Sequence, residues 1–204
     1  MEENRKLWGL LRRRQMLVPT WRGCLVLLVL MGSLALWAVQ SIHPFLTVTD
    51  PVPGGILVVE GWATDFAMEA TVAEFRTNHY EKVFVTGGPI EWGAPLSEYG
   101  TYAEVGAATL VILGLHTNEV QAVPAPLVRQ DRTYTAARAL RNWLREHNIQ
   151  CTQVHLITEG PHARRSRLLF QKALNSDCTV GVTAVPVRGY DPQRWWRSSG
   201  GVRA

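Results

Sequence analysis

Short apolar runs alternate with longer stretches of helical spacing over most of this chain. The apolar runs are rich in β-branched residues and only four to eight residues long, which is typical of buried strands. Between them, apolar side chains recur every three or four residues, as in Phe66–Asn78. The pattern predicts strands at 56–60, 82–86, 120–123, 154–158 and 180–187, and helices at 66–78, 98–115, 133–147 and 161–174.

This alternation predicts the fold class. Strands that are separated by helices form a parallel sheet with right-handed crossovers. Five such strands predict an α/β, Rossmann-like, doubly wound sandwich over residues 54–187, followed by a C-terminal tail over 188–204. Such sheets bind ligands at the carboxyl ends of their strands, so we expect the functional residues at that rim.

An uncharged segment precedes the predicted domain. Gly23–Val39 contains 17 residues and no charge. As a helix it would be about 25 Å long, close to the roughly 30 Å of a bilayer core. The segment predicts a transmembrane anchor over 23–41 and a proline-containing linker over 42–53. A cleaved signal peptide is the alternative, but no clear A-x-A site follows the apolar run.

The excess positive charge is confined to the N-terminus. The chain has 21 basic and 17 acidic side chains, and residues 1–22 hold six of the bases and two of the acids. Residues 23–204 are therefore neutral on balance, which argues against a nucleic-acid-binding domain. By the positive-inside rule, the basic segment predicts a cytoplasmic N-terminus. The domain would then lie on the outer, periplasmic side of the plasma (inner) membrane.

Glycines, hydroxyls and bases follow the predicted strands at this rim. The candidates for ligand binding are Gly61, Gly87, Gly88, Arg132, Thr133, Thr158 and Arg165. A glycine pair after a strand allows positive φ angles and a close approach of the backbone to a ligand, although a plain turn has the same pattern. Asp131 or Thr133 is also suited to cap the helix that follows.

The start of the last predicted helix suggests an anion site. Pro161 suits a first helical turn, and His162 and Arg165 are three residues apart, on one helix face. Free amides, an imidazole and a guanidinium would then converge where a phosphate or carboxylate can bind. A capping histidine on a solvated basic helix is the alternative.

Two carboxylates and His162 are the predicted catalytic residues. Glu60 ends a buried strand, and a buried carboxylate is costly unless it is paired, so we expect it beside Arg132 or Arg165. Glu98 is predicted to open the helix after the glycine loop. There it suits a base, a metal ligand or a group that orients a hydroxyl, although the helix dipole alone favours a glutamate.

Several chemistries lack their motifs. The chain has no G-x-G-x-x-G, P-loop, G-x-S-x-G or H-E-x-x-H pattern. Its six histidines show no metal-ligand spacing. No cofactor and no metal site are therefore predicted.

Two cysteines lie in the predicted α/β domain. Cys151 and Cys178 each come just before a predicted strand. If those strands are neighbours, the thiols begin at the same end of the sheet and can pair in an oxidising compartment. Two separate buried thiols are the alternative.

The order of the motifs resembles the YdcF-like family of domains of unknown function, which includes the envelope proteins SanA and ElyC. The matching stretches are VVEGW (58–62), VTGG (85–88), SEY (97–99), DRTYTAA (131–137) and TEGPHARRS (158–166). In the last of these, Thr158, His162 and Arg165 fall on the family's threonine, histidine and arginine. Glu60 and Thr135 depart from the family pattern. The resemblance implies a Rossmann-like envelope protein involved in peptidoglycan or lipid-carrier metabolism.

Together these features predict a membrane-anchored envelope-biogenesis protein. Its expected partners are the lipid bilayer and an anionic small molecule or lipid-linked phosphate; turnover would be hydrolysis or transfer at a phosphate ester. One alternative is a non-catalytic module for an adenosine-type ligand such as S-adenosylmethionine, which the resemblance suggests. Another is a structural partner-docking protein. Its contact surface would include Trp62, Trp92, Trp195 and Trp196, although Trp195 and Trp196 would equally suit packing on the sheet edge or contact with the membrane.

Overall fold

The computed structural model describes residues 18–91, 95, 97–175 and 178–203. The chain divides into two compact units between Val39 and Gln40. The first contains most of one long helix, and the second contains the sheet. Trp92, which the sequence suggests for a contact surface, lies outside the described residues.

The long helix α1 (Trp21–Leu46) has 26 residues, and none of them is buried. The mean hydropathy of its most apolar window is 2.2. By length and composition it can cross a membrane. The helix continues to Leu46 and includes Pro44, so the first residues of the predicted linker are helical.

The second unit alternates strands and helices as the sequence predicts. Its elements are β1 (Ile56–Glu60), α2 (Asp65–Thr77), β2 (Val83–Gly87), α3 (Tyr102–Ile112), β3 (Val120–Pro124), α4 (Arg132–Glu146), β4 (Gln153–Glu159), α5 (Ala163–Leu174), β5 (Thr179–Val185) and α6 (Ser199–Arg203). The five strands form one parallel sheet in the order β3-β2-β1-β4-β5. The predicted Rossmann-like α/β class is confirmed.

Alternate residues of the strands face two different helical layers. Val58 packs with the apolar side chains of α4 and α5, whereas Leu57 and Val59 pack with those of α2 and α3. The crossovers before β3 therefore lie on one face of the sheet and those after it lie on the other. The chain changes direction where β1 adjoins β4, and folds of this class bind ligands in the crevice at such a point.

The outer edge of β5 is covered by residues that follow α1. Asp50 and Val182 exchange two backbone hydrogen bonds of 2.8 and 2.9 Å. The Arg167 guanidinium also lies 2.6 Å from the Asp50 carboxylate. Gly181 makes room for this segment, since a Cβ at that position would come within 2.6 Å of the Val52 nitrogen. The later part of the predicted linker thus protects a sheet edge.

Cys151 and Cys178 form a disulfide, with their Cα atoms 5.4 Å apart. They precede β4 and β5, which are neighbours in the sheet. Of the two sequence-based alternatives, the structure has the paired one. The bond ties together the amino ends of two strands, at the opposite end from the predicted functional rim.

Candidate functional site

A cavity of about 690 Å³ opens at the carboxyl ends of β1 and β2. The β3–α4 loop and the first turns of α4 and α5 complete its wall. Seven of the predicted site residues line it, namely Glu60, Gly87, Gly88, Arg132, Thr133, His162 and Arg165. These residues come from four separate parts of the sequence, and the parallel sheet brings them to one rim.

Glu60 lies at the inner end of this cavity and is 1% exposed. Its Oε2 accepts hydrogen bonds from Thr158 Oγ1 at 2.5 Å and from Ser166 Oγ at 2.8 Å. The expectation that Glu60 pairs with Arg132 or Arg165 is wrong, because no ion pair joins it to an arginine among the described residues. Two hydroxyl donors satisfy the carboxylate instead.

Burial raises the pKa of Glu60. The hydrogen bonds from Thr158, Ser166 and Trp62 oppose this shift, as does the charge of His162. A carboxyl group with these surroundings takes up a proton more readily than an exposed one. It lines a cavity and has a perturbed pKa, which are the properties of a functional acid or base.

His162 lines the cavity from a short turn, Gly160–His162, that precedes α5. Its imidazole packs edge to face against the Trp62 indole, with ring centroids 4.9 Å apart. Trp62 also lines the cavity and is 37% exposed. The sequence gives no reason to place it beside His162, because Trp62 lies in the turn after β1, where the alternation of a strand no longer applies.

Three arginines line the outer part of the cavity. Arg132 Nη1 lies 2.9 Å from Glu91 Oε1, an exposed pair that has little energetic weight. Arg129 and Arg165 are exposed, and neither has an ion-pair or hydrogen-bond partner among the described residues. Two guanidinium groups are therefore available to an anion that enters the cavity.

A buried hydroxyl in the cavity wall lacks a partner. Thr86 is the second-last residue of β2 and is 1% exposed, and its Oγ1 has no hydrogen-bond partner in the described part of the chain. A buried polar group without a partner is costly, and in native proteins such a group calls for an explanation. A ligand oxygen in the cavity would supply the missing hydrogen bond.

The glycines of the rim have a structural role that differs from the predicted one. Gly87 and Gly88 do not have positive φ angles. A Cβ at Gly87 would come within 2.8 Å of the Ala103 nitrogen, and one at Gly61 within 2.3 Å of the Tyr102 oxygen. Gly61 and Gly87 thus let the start of α3 lie directly on the ends of β1 and β2. Only Gly88 has open space beside it.

Glu98 does not open a helix and is not among the residues that line the cavity. It is exposed, and α3 begins at Tyr102. Thr101 and Glu104 form a capping box at that point, with Glu104 N donating to Thr101 Oγ1 at 3.2 Å. The spacing T-x-x-E was the sequence signal for this helix start, and it takes precedence over the isolated Glu98.

The remaining predicted residues have supporting positions. Thr158 does not line the cavity but holds Glu60 from behind. Asp131 occupies the N-cap position of α4 in a left-handed conformation, at φ 56°, and its side chain makes no capping bond. The side chain of Asp131 therefore does not cap α4. Thr133, the other candidate for the cap, lies in the first turn of the helix and lines the cavity.

Metal binding has no support among the described residues, where no three histidine, cysteine or acidic side chains gather closely enough to hold an ion. The chain matches no family model, no curated protein and no solved structure. The geometry of the cavity is therefore what bears on function, and the YdcF-like resemblance stays a prediction.

Proposed function

We propose that this protein binds a phosphorylated, lipid-carrier-type metabolite of the cell envelope in the cavity at the strand ends. The observation that carries the proposal is that one cavity is lined by two guanidinium groups and a buried hydroxyl that have no partner among the described residues. Arg129 and Arg165 supply charge, and Thr86 supplies a hydrogen-bonding group deeper in the wall. Arginine is the side chain best suited to a phosphate, since its planar fork donates two parallel hydrogen bonds.

Three acids, Glu60, Glu91 and Asp131, also line the cavity. The Glu91 carboxylate is engaged by Arg132. Burial raises the pKa of Glu60, and its Oε2 is engaged by protein hydroxyls. Asp131 is exposed and makes no capping bond, so it offsets the charge of one arginine. Arg129 and Arg165 have no ion-pair or hydrogen-bond partner among the described residues, and the helix dipole at the start of α5 also favours a negative ligand.

His162 and Glu60 suit the handling of a proton at the bound ligand. His162 and Arg165, which are three residues apart in the chain, both line the cavity. The charge of His162 acts on the buried carboxyl group of Glu60. In this proposal Arg165 and Arg129 hold the phosphate, while His162 exchanges a proton with an ester oxygen if the ligand turns over.

Membrane attachment forms part of the same proposal. Helix α1 has the length and hydropathy of a membrane span, and the basic residues before it favour a cytoplasmic N-terminus. The α/β unit would then lie outside the cytoplasm. The Cys151–Cys178 disulfide supports that side, because such bonds persist mainly in oxidising compartments.

The geometry favours a phosphate ligand over the adenosine-type alternative. In nucleotide-binding folds of this class, an acid near a strand end binds the hydroxyls of the ribose. Glu60 is the acid in question, and its Oε2 already accepts bonds from Thr158 and Ser166. No observation in the cavity favours a nucleoside in its place.

Binding of farnesyl phosphate to the detergent-solubilised full chain tests the proposal. Calorimetry would compare farnesyl phosphate with farnesol, which lacks the charge, and with inorganic phosphate, which lacks the chain. We expect His162→Ala and Arg165→Ala each to weaken binding of farnesyl phosphate roughly tenfold or more. Arg145→Ala is the matched control, since Arg145 is exposed at the end of α4 and does not line the cavity. Equal affinity in all four proteins would overturn the proposal.

A further inference from the structure

The C-terminal tail lies against the last turns of α1. His43 Nε2 is 3.0 Å from the Tyr190 hydroxyl, and the two rings meet edge to face with centroids 5.7 Å apart. A second cavity, of about 520 Å³, is lined both by the end of α1, including Pro44, and by Pro192 and Gln193 of the tail. The fold thus holds the tail at the point where the apolar helix ends.

That point corresponds to the headgroup region of a bilayer. The uncharged run of α1 ends at Val39, and His43 follows four residues later. Four helical residues rise about 6 Å, which is comparable with the thickness of the polar layer on one side of the hydrocarbon core. A tail that contacts His43 therefore lies at interfacial depth when α1 spans a membrane.

The composition of the tail suits that depth. The segment Tyr190–Arg203 contains one acid, Asp191, and three arginines, Arg194, Arg197 and Arg203, all of them exposed. Trp195 and Trp196 adjoin each other edge to face, with centroids 5.9 Å apart. Tryptophan and arginine are the side chains that favour the interface, one for its amphipathic ring and the other for lipid phosphates.

The tail presents these side chains from a folded support. Helix α6 packs directly on the preceding turn, Pro192–Arg197, because Gly201 allows its backbone to meet that of Trp195. A Cβ at Gly201 would come within 2.2 Å of the Trp195 oxygen. Val202 is 63% exposed beside Arg203, so the outward side of the support combines apolar and basic groups.

We infer that residues Tyr190–Arg203 form a second membrane contact, which binds the headgroups of anionic phospholipids. Trp196 would insert at the interface, and Arg194, Arg197 and Arg203 would bind lipid phosphates. The inference rests on the membrane attachment proposed above but not on the ligand of the strand-end cavity. An anionic bilayer is the occupant that the tail's charge complements, and it lies where the end of α1 places the tail.

Hydrogen–deuterium exchange on the full chain in lipid nanodiscs tests this contact. One set of discs contains phosphatidylcholine alone, and the other contains phosphatidylcholine with phosphatidylglycerol. We expect the amides of Tyr190–Arg203 to exchange more slowly in the anionic discs. Each arginine near an anionic surface strengthens docking about fivefold, so Arg194→Gln/Arg197→Gln should weaken it roughly thirtyfold and remove the difference between the discs.

The matched control is Arg138→Gln/Arg145→Gln, which removes the same charge from exposed positions on α4. We expect this variant to keep the tail protection of the wild type. Equal exchange of the tail in both kinds of disc would overturn the inference, whether the tail is exposed to solvent or is protected by another part of the protein.

Exchange of the Gly23–Val39 amides in the same samples reports membrane insertion. Fast exchange there would overturn the proposed attachment, and the tail contact with it. Slow exchange there with an unresponsive tail would overturn the tail contact alone.

Discussion

Ser166 Oγ donates a hydrogen bond of 2.8 Å to Glu60 Oε2, although the two residues are 106 positions apart in the chain. The bond joins the end of β1 to the first turn of α5, across the point where the sheet changes direction. Thr158 donates to the same oxygen from the end of β4. The buried carboxyl group of the cavity is thus held by hydroxyls, which neutralise no charge, and its protonation stays responsive to what the cavity contains.

Glu60→Gln should make stability less dependent on pH. Burial raises the pKa of Glu60 above its ordinary value of 4.5. As the pH rises above 4.5, the carboxyl group loses its proton in the unfolded chain before it does so in the folded one. The free energy of unfolding of the wild type therefore falls as the pH rises from 4.5 to the raised pKa. The glutamine variant lacks that loss. Denaturant unfolding of the solubilised full chain between pH 4 and pH 8 should show the variant gaining on the wild type as the pH rises; parallel curves would contradict the assignment.

Gly61→Ala and Gly88→Ala should differ sharply in stability. A Cβ at Gly61 would come within 2.3 Å of the Tyr102 backbone oxygen, whereas the nearest atom at Gly88 is 4.0 Å away. Overpacking against backbone costs about 1–3 kcal/mol or more, so Gly61→Ala should lower the free energy of unfolding by at least that amount. Gly88→Ala should leave it nearly unchanged. Similar unfolding midpoints for the two variants would show that α3 does not press on the end of β1.

Breaking the disulfide should destabilise the α/β unit. Cys151 and Cys178 are 27 residues apart in sequence, and closing a loop of that size is worth about 3 to 4 kcal/mol. Cys151→Ser/Cys178→Ser should lower the free energy of unfolding by this amount, and a reducing agent should do the same to the wild type but not to the variant. A thiol-labelling experiment in intact cells, read by mass spectrometry, should leave both cysteines unlabelled until they are reduced. Free labelling would place the unit in a reducing compartment.

The buried His155 should make the protein sensitive to acid. Its Nδ1 lies 2.9 Å from the Tyr80 hydroxyl and 3.2 Å from Glu74 Oε1, and its Nε2 lies 2.8 Å from Thr183 Oγ1. Burial lowers the pKa of His155 from 6.5, against the opposing charge of Glu74. Below pH 6.5 the unfolded chain therefore takes up this proton more readily, and stability falls towards the lowered pKa.

His155→Gln separates this effect from other acid effects. At pH 8 the variant should be less stable by about 1–3 kcal/mol, because buried hydrogen-bond partners are left unsatisfied. The difference should shrink as the pH falls to 5, since only the wild type has the titrating ring. His79→Gln, at an exposed histidine close to Tyr80, is the control and should follow the wild type throughout. A constant difference across the pH range would mean that His155 does not titrate in this window.

Local patterns in the sequence were enough for the class of fold and for the apolar helix. Short continuous apolar runs such as Leu57–Val59 and the uncharged Gly23–Val39 depend only on which side chains neighbour one another in the chain. The position of the rim also followed, because every parallel strand ends on the same side. The start of α3 also has a signal in the sequence, because the spacing of Thr101 and Glu104 is that of a capping box, which indicates a helix start more specifically than a single acid such as Glu98.

The partners of Glu60 and the reason for Gly61 required the tertiary structure. Sequence reasoning pairs a buried carboxylate with a charge, but Arg132 and Arg165 are both exposed, and Arg132 pairs with Glu91 instead. The groups that reach the carboxylate are the short hydroxyl side chains of Thr158 and Ser166, from a strand and a helix that come about a hundred residues later. Contacts of this kind depend on how closely the packed elements approach one another. The spacing of residues along the chain does not indicate that the start of α3 lies on the ends of β1 and β2.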